Sequence, residues 1–227
     1  MRIDSPGWRE TVVDGAAVVG VALTPDQAAA IGRHAREMIA WNRVTNLTAL
    51  TDPLAVAVKH AVDSLAAAPW IHAGARVLDA GSGGGYPGIP LKIARPDLSF
   101  TLVDSVRKKV SFLTYAIGAL GLDGIRAVHA RLEALAHAPA FAGQFDCVVC
   151  RAFASLADFA ALTLPFLAPG GSLLAMKGPQ AEHDHELDDA ADGDRIVIAD
   201  TPMTLRIHRY CLPVLGDRRR LIRLTPE

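Results

Sequence analysis

Val77-Leu78-Asp79-Ala80-Gly81-Ser82-Gly83-Gly84-Gly85-Tyr86-Pro87-Gly88 joins an apolar run ending in an acid to a glycine-rich turn, after which a helix can begin. Glycine takes positive φ without a Cβ penalty, so the chain can turn sharply there and let a ligand approach its backbone. Short apolar runs recur downstream at Phe100–Asp104, Ile125–Val128, Phe145–Cys150 and Gly171–Met176, separated by stretches of helical character. Runs this uniformly apolar fit parallel strands buried on both faces. The expected fold is α/β, a doubly wound Rossmann-like sheet that takes its ligand at the carboxyl ends of the strands. Further strand-like runs near Arg195–Ala199, Leu205–Leu212 and Arg220–Leu224, the last after the turn Gly216-Asp217, predict an antiparallel C-terminal edge.

Upstream, Thr24-Pro25-Asp26-Gln27 has the composition of a helix start, with Thr24 as cap, Pro25 at the first helical position and Gln27 returning a bond. Helix is predicted from there to about Trp41, and again from about Asp52 to Ala68. Residues 1–70 are therefore expected to be a helical N-terminal extension, with 71–227 forming the ligand-binding domain. Three cysteines (Cys147, Cys150, Cys211) are sparse and odd in number, as in a reduced cytoplasmic protein. Met1–Pro6 lacks the apolar run of a signal peptide, and no stretch reaches the ~18–20 apolar residues of a membrane span. A formal net charge of −1 means that a nucleic-acid partner would have to be met by local basic patches.

Several ligands could use such a loop. A P-loop is excluded, because no Gly-Lys-Ser/Thr follows to hold phosphates and magnesium. Gly83-Gly84-Gly85-Tyr86-Pro87-Gly88 does fit G-x-G-x-x-G, but Pro87 and Pro90 crowd the helix start. Asp79 directly before the loop would repel a pyrophosphate and attract a cationic amino-acid group. Asp104 ends the next strand, where an acid can accept from both hydroxyls of an unmodified ribose. Ribose, amino acid and positive charge together describe S-adenosyl-L-methionine, so a class I methyltransferase is expected. No metal site is expected: His183 and His185 sit in an acidic stretch (181–194) read as a solvated loop.

Trp41-Asn42-Arg43-Val44-Thr45-Asn46-Leu47-Thr48, His60-Ala61-Val62-Asp63-Ser64, the loop from Asp79 to Leu91, Cys150–Ser155 and Ala175-Met176-Lys177-Gly178 together carry a more specific signal. They resemble the bacterial small-subunit rRNA guanine-N7 methyltransferase family, also called glucose-inhibited division protein B. The resemblance spans roughly residues 41–178, with an echo at Arg219-Arg220-Leu221. Tyr86 stands where Phe or Leu is usual, and Met176 where Leu is common. It implies methyl transfer from S-adenosyl-L-methionine to a guanine of 16S rRNA, on the small ribosomal subunit or its precursor, by a monomer. It also implies cofactor contacts at Gly81, Gly83, Gly85, Tyr86, Asp104, Leu132, Glu133 and Arg151. Arg151 could hold the methionine carboxylate or an RNA phosphate, or form a structural ion pair. Expected RNA contacts are Arg43, Asn46, Lys177, Arg219 and Arg220, with Arg107-Lys108-Lys109 either a contact or a solvated face.

Guanine N7 has a lone pair and no proton, so positioning and desolvation suffice and no general base is expected. The Asn/Asp-Pro-Pro-aromatic motif of amine methylation is missing after Cys150, and Phe153 offers a ring for base stacking. Cys147 and Cys150, spaced C-x-x-C on a strand, should face opposite ways and act as small packers rather than as nucleophile or metal pair. His60 and Asp63, three residues apart, read as a polar helix–helix contact. The alternatives kept open are a methyltransferase for a small molecule or protein, and a non-catalytic module that binds cofactor or RNA.

Overall fold

The computed structural model describes residues 1–151, 155–178, 192–198 and 200–227. Five strands, β1 (Arg76–Ala80), β2 (Ser99–Asp104), β3 (Ile125–His129), β4 (Phe145–Arg151) and β5 (Leu167–Lys177), pair in parallel. Three more, β6 (Arg195–Ile198), β7 (Thr201–Cys211) and β8 (Arg218–Pro226), extend the sheet antiparallel from β5. The order is β3-β2-β1-β4-β5-β8-β7-β6, so the doubly wound sheet with an antiparallel C-terminal edge is what the chain forms. The order reverses between β1 and β4, and that switch point is where such sheets hold ligands.

Side chains on a strand alternate between faces, and the core divides accordingly. Val77, Phe100, Leu102, Cys147, Val149 and Leu174 pack on one face with the N-terminal helices. Leu78, Val103, Val148, Cys150, Leu173 and Ile222 pack on the other with α8 (Leu156–Thr163). Cys147 and Cys150 thus point to opposite faces, and burial pushes both thiols up, Cys147 to about 12. A thiol held protonated is a packing group, not a nucleophile.

Helices occupy much of residues 1–70, more of them than the sequence pointed to. Thr24 caps α2 (Pro25–Thr45) through a reciprocal box: Gln27 N–H donates to Thr24 Oγ1 at 3.2 Å, and Thr24 N–H to Gln27 Oε1 at 2.9 Å. An unforeseen helix, α1 (Pro6–Val18), precedes it and buries Trp8, Val12 and Ala16 in the same core as the sheet. The third helical stretch starts as α3 (Pro53–Ala55), becomes a π-helix over Val56–Val62, and ends as α4 (Asp63–Leu65). π-Helical turns are rare and gather at functional sites; this one carries His60 and delivers Asp63.

Candidate active site

At the carboxyl end of β1, Gly81, Gly83 and Gly85 all have positive φ. Gly85 (φ +87°) is the most constrained, since an added Cβ would lie 2.6 Å from Ile89 Cδ1 and 2.9 Å from His34 Nε2. Gly81 (φ +80°) is the opposite case: a Cβ there would meet nothing within 4 Å, because the residue borders open space. Two acids organise the loop. Asp104 Oδ2 accepts from Gly83 N–H at 3.0 Å while its Oδ1 accepts from Val106 N–H at 2.8 Å. Asp79 is fully buried, and its Oδ2 accepts from Gly88 N–H at 3.0 Å, at the first turn of α5 (Gly88–Ala94).

Asp79 Oδ1 is buried with no partner of its own. A buried carboxylate oxygen without a donor is costly, so the site is built for a donor that arrives with a ligand. A cleft of about 200 Å³ at the ends of β1 and β2 is walled by Gly81, Asp104, Leu132 and Glu133, together with Ser105 and Leu162. Four of the residues expected to hold the cofactor therefore meet at one cleft. The donor set fits S-adenosyl-L-methionine: a carboxylate at the ribose position, an acid beside a backbone turn for the adenine edge, and an unpaired acid for an ammonium.

Burial raises the pKa of Asp79 to about 7, against the lowering effects of the Gly88 and Ser82 bonds and of the Arg151 charge. Between about pH 4 and 7 the native state holds a proton that the unfolded chain has released, so Asp79's contribution to stability declines as pH rises through that window. An ammonium beside Oδ1 favours the ionised form. Cofactor binding is therefore expected to tighten from pH 6 to pH 8 and to release a proton near pH 7. Calorimetry in buffers of different ionisation heat measures both, and Asp79→Asn should flatten the dependence.

Tyr86 and Arg151 belong to a separate cluster against the π-helix. Arg151 ends β4, and its Nη1 donates to the Lys59 carbonyl while Nη2 donates to His60 Nδ1, each at 2.7 Å. Its guanidinium also lies 5.5 Å from the Tyr86 ring centre and 3.9 Å from Asp63. The Tyr86 ring stacks on His60 at 4.7 Å and meets His34 at the same distance. Because Arg151 can only donate, His60 Nδ1 must accept, leaving its Nε2–H to donate to Thr48 Oγ1 at 2.8 Å. His34 likewise uses Nε2–H toward the Gly84 carbonyl at 2.9 Å. Burial lowers His60 to about 3 and His34 to about 4, so both stay neutral. The stability they contribute is lost as pH falls below about 6.5.

His60 and Asp63 were expected to join two helices; instead they join a helix to the sheet. Asp63 accepts from Tyr210 Oη (β7) at 2.8 Å and faces Arg219 Nε (β8) at 3.5 Å. Burial holds its carboxyl above the usual range in spite of both cations. Arg219 is accordingly turned inward at 9% exposed, and Lys177 is 5% exposed. A side chain so enclosed does not offer its charge to a backbone phosphate, which leaves Arg43, Asn46 and Arg220 as the more accessible RNA candidates.

Sequence reasoning missed His34 and Thr48, whose partners lie 50 and 12 residues away and leave no local pattern. Asn42 could have been found. It sits four residues before the left-handed Asn46, and its Oδ1 accepts from Leu47 N–H at 2.6 Å and Thr48 N–H at 2.9 Å, fixing the loop that presents Thr48. Phe153, His183 and His185 lie outside the described residues.

Comparison with known proteins identifies the family. The family described as rRNA small subunit methyltransferase G matches residues 27–195. A ribosomal RNA small subunit methyltransferase G of Geobacter sp. (strain M21) is 42% identical over 214 residues, covering 94% of this chain and 95% of the relative. One from Leptothrix cholodnii is 40% identical over 226 residues, 96% of each chain. Among solved structures, a predicted O-methyltransferase of Agrobacterium tumefaciens superposes with a TM-score of 0.51 at 18% identity, over 67% of this chain and 74% of that one; this likeness concerns the fold alone. The glycine loop, its two carboxylates and the Trp41–Thr48 loop all fall inside the matched span: the chain belongs to the rRNA small subunit methyltransferase G family.

Proposed function

We propose that this protein transfers a methyl group from S-adenosyl-L-methionine to N7 of a guanine in 16S rRNA, acting as a cytoplasmic monomer on the small ribosomal subunit or its precursor. The observation that carries the reading is the match to rRNA small subunit methyltransferase G across residues 27–195. The donor set at the cleft supports it independently. When bound, the cofactor supplies an electrophilic methyl on a sulfonium.

The chain's own part is to hold and to exclude. Asp104, with Leu132 and Glu133, orients the adenosine end, and Gly81, Gly83 and Gly85 let the backbone close on it. Asp79 holds the ammonium through Oδ1. Arg151 and Tyr86 frame the far side beside β4, with the guanidinium held in place by Lys59 and His60. N7 attack needs no proton removed; His60 spends both ring nitrogens on Arg151 and Thr48, and His34 bonds the loop through the Gly84 carbonyl. Rate enhancement then comes from alignment and exclusion of water. Arg43, Asn46, Lys177, Arg219 and Arg220 are the residues proposed for the RNA side, the inward pair acting by supporting their neighbours.

The test is transfer of labelled methyl to two substrates, small subunits from cells lacking the endogenous enzyme and protein-free 16S rRNA. Preferential labelling of subunits is expected. Equal labelling of both would remove the particle from the proposal, and labelling of neither would overturn it.

A further inference from the structure

Residues 201–227, which form β7 and β8, contain six arginines against two acids, in a chain whose net charge is −1. Strand register sorts these arginines between the two faces. Arg220 pairs with Lys177 across β8–β5 and with Arg209 across β8–β7. Each of the three lies two residues from a buried member of the α8-side core: Ala175 for Lys177, Ile222 for Arg220 and Ile207 for Arg209. Alternation therefore puts all three on that one face. Arg218, opposite Cys211, continues the same face one rung further along β8. Arg219 falls between them on the opposite face, where it meets Asp63.

The row lies at the carboxyl edge of the sheet. Lys177 ends β5 one residue beyond Met176, the register partner of Arg151. From Lys177 to Arg209 it crosses two interstrand spacings, about 10 Å. Arg209 and Arg218 are exposed.

Resting on the proposed rRNA methyltransferase activity, we infer that Arg220, Arg209 and Arg218, in line with the enclosed Lys177, form an RNA-phosphate track that leads the substrate strand to the cofactor edge. Arg209 and Arg218 are its outer contacts and Arg220 links them to the site. The partner is recognised by phosphate charge alone, so the track positions RNA and does not select its sequence.

The test is the charge reversals Arg209→Glu and Arg218→Glu, singly and together, with Arg206→Glu as the comparison. Arg206 is equally a β7 arginine, but register places it opposite Arg223 on the other face. Expected for the double variant is a roughly tenfold or larger rise in KM for the RNA substrate, with kcat and cofactor affinity little changed. The dependence of log binding on log salt should become shallower by about one unit for each arginine that no longer meets a phosphate. Arg206→Glu should leave KM near the unaltered protein's value. An unchanged KM and salt slope in the double variant, or an equal effect of Arg206→Glu, overturns the track while leaving the methyltransferase reading intact. Absence of transfer by the unaltered protein overturns the activity on which the track rests.

Discussion

Replacing Asp104 by Ala is expected to weaken S-adenosyl-L-methionine binding about 100-fold or more, measured by titration calorimetry. The carboxylate accepts from Gly83 N–H at 3.0 Å and Val106 N–H at 2.8 Å, so it both faces the cleft and fixes the glycine loop. Hydrogen bonds to a charged group contribute about 1.5–3 kcal/mol each. Losing two to a ribose would cost about 3 kcal/mol or more, which is about two decades in affinity. Asp104→Asn keeps one acceptor oxygen and should fall between. Transfer at saturating cofactor should recover part of the loss, because the residue acts on binding and orientation rather than on the reacting atoms. A change of less than about threefold in affinity would remove Asp104 from the site.

The second large effect concerns stability. Trp8→Ala is expected to cost about 3–5 kcal/mol in urea unfolding, the range for deleting a large aromatic from a packed core. Trp8 is fully buried and its Nε1–H donates to the Pro53 carbonyl at 2.9 Å, tying α1 to the start of the helix that carries His60 and Asp63. On the same helix, Gly15 is packed so tightly that a Cβ would come within 2.6 Å of Val62. Because the helix beneath carries the partners of Arg151, the substitution should also lower activity at temperatures where the protein remains folded. A cost below about 1 kcal/mol would mean that α1 is dispensable to the core.

The difference between what could and could not be read in the sequence is physical. β1, β2 and β4 were legible because parallel strands buried on both faces must be apolar almost throughout. The cofactor edge was legible because the acid–glycine pattern is local: Asp79, Gly81 and Gly85 lie within seven residues, and Asp104 ends the next strand. The start of β5 was placed too late, at Gly171. Ala168-Pro169-Gly170 looks like a turn, yet the strand begins at Leu167, which pairs with Phe145 before a register shift. Helix α1 did leave a trace in Ser5-Pro6 and the spacing of Trp8, Val12 and Ala16, but Gly7 and Gly15 lower its helical propensity.

Partners brought together from far apart left no trace. Arg151 finds His60 across 91 residues and Asp63 finds Tyr210 across 147. Arginines 218, 219 and 220 form one basic run in the sequence, and only strand register separates the middle one, aimed at Asp63, from its two neighbours. The π-helix over Val56–Val62 has no recognisable composition either; it arises where that helix must present His60 and then Asp63 to the sheet.

The most direct test of the proposed reaction is identification of the methylated nucleoside. Small subunits lacking the modification would be incubated with the protein and labelled S-adenosyl-L-methionine, and the 16S rRNA digested and resolved by mass spectrometry. The predicted result is label in 7-methylguanosine at a single position. Label in an exocyclic-amine or carbon-methylated nucleoside would contradict it, because those reactions need an amine proton removed or a pyrimidine carbon activated, and the proposed attack by N7 needs neither.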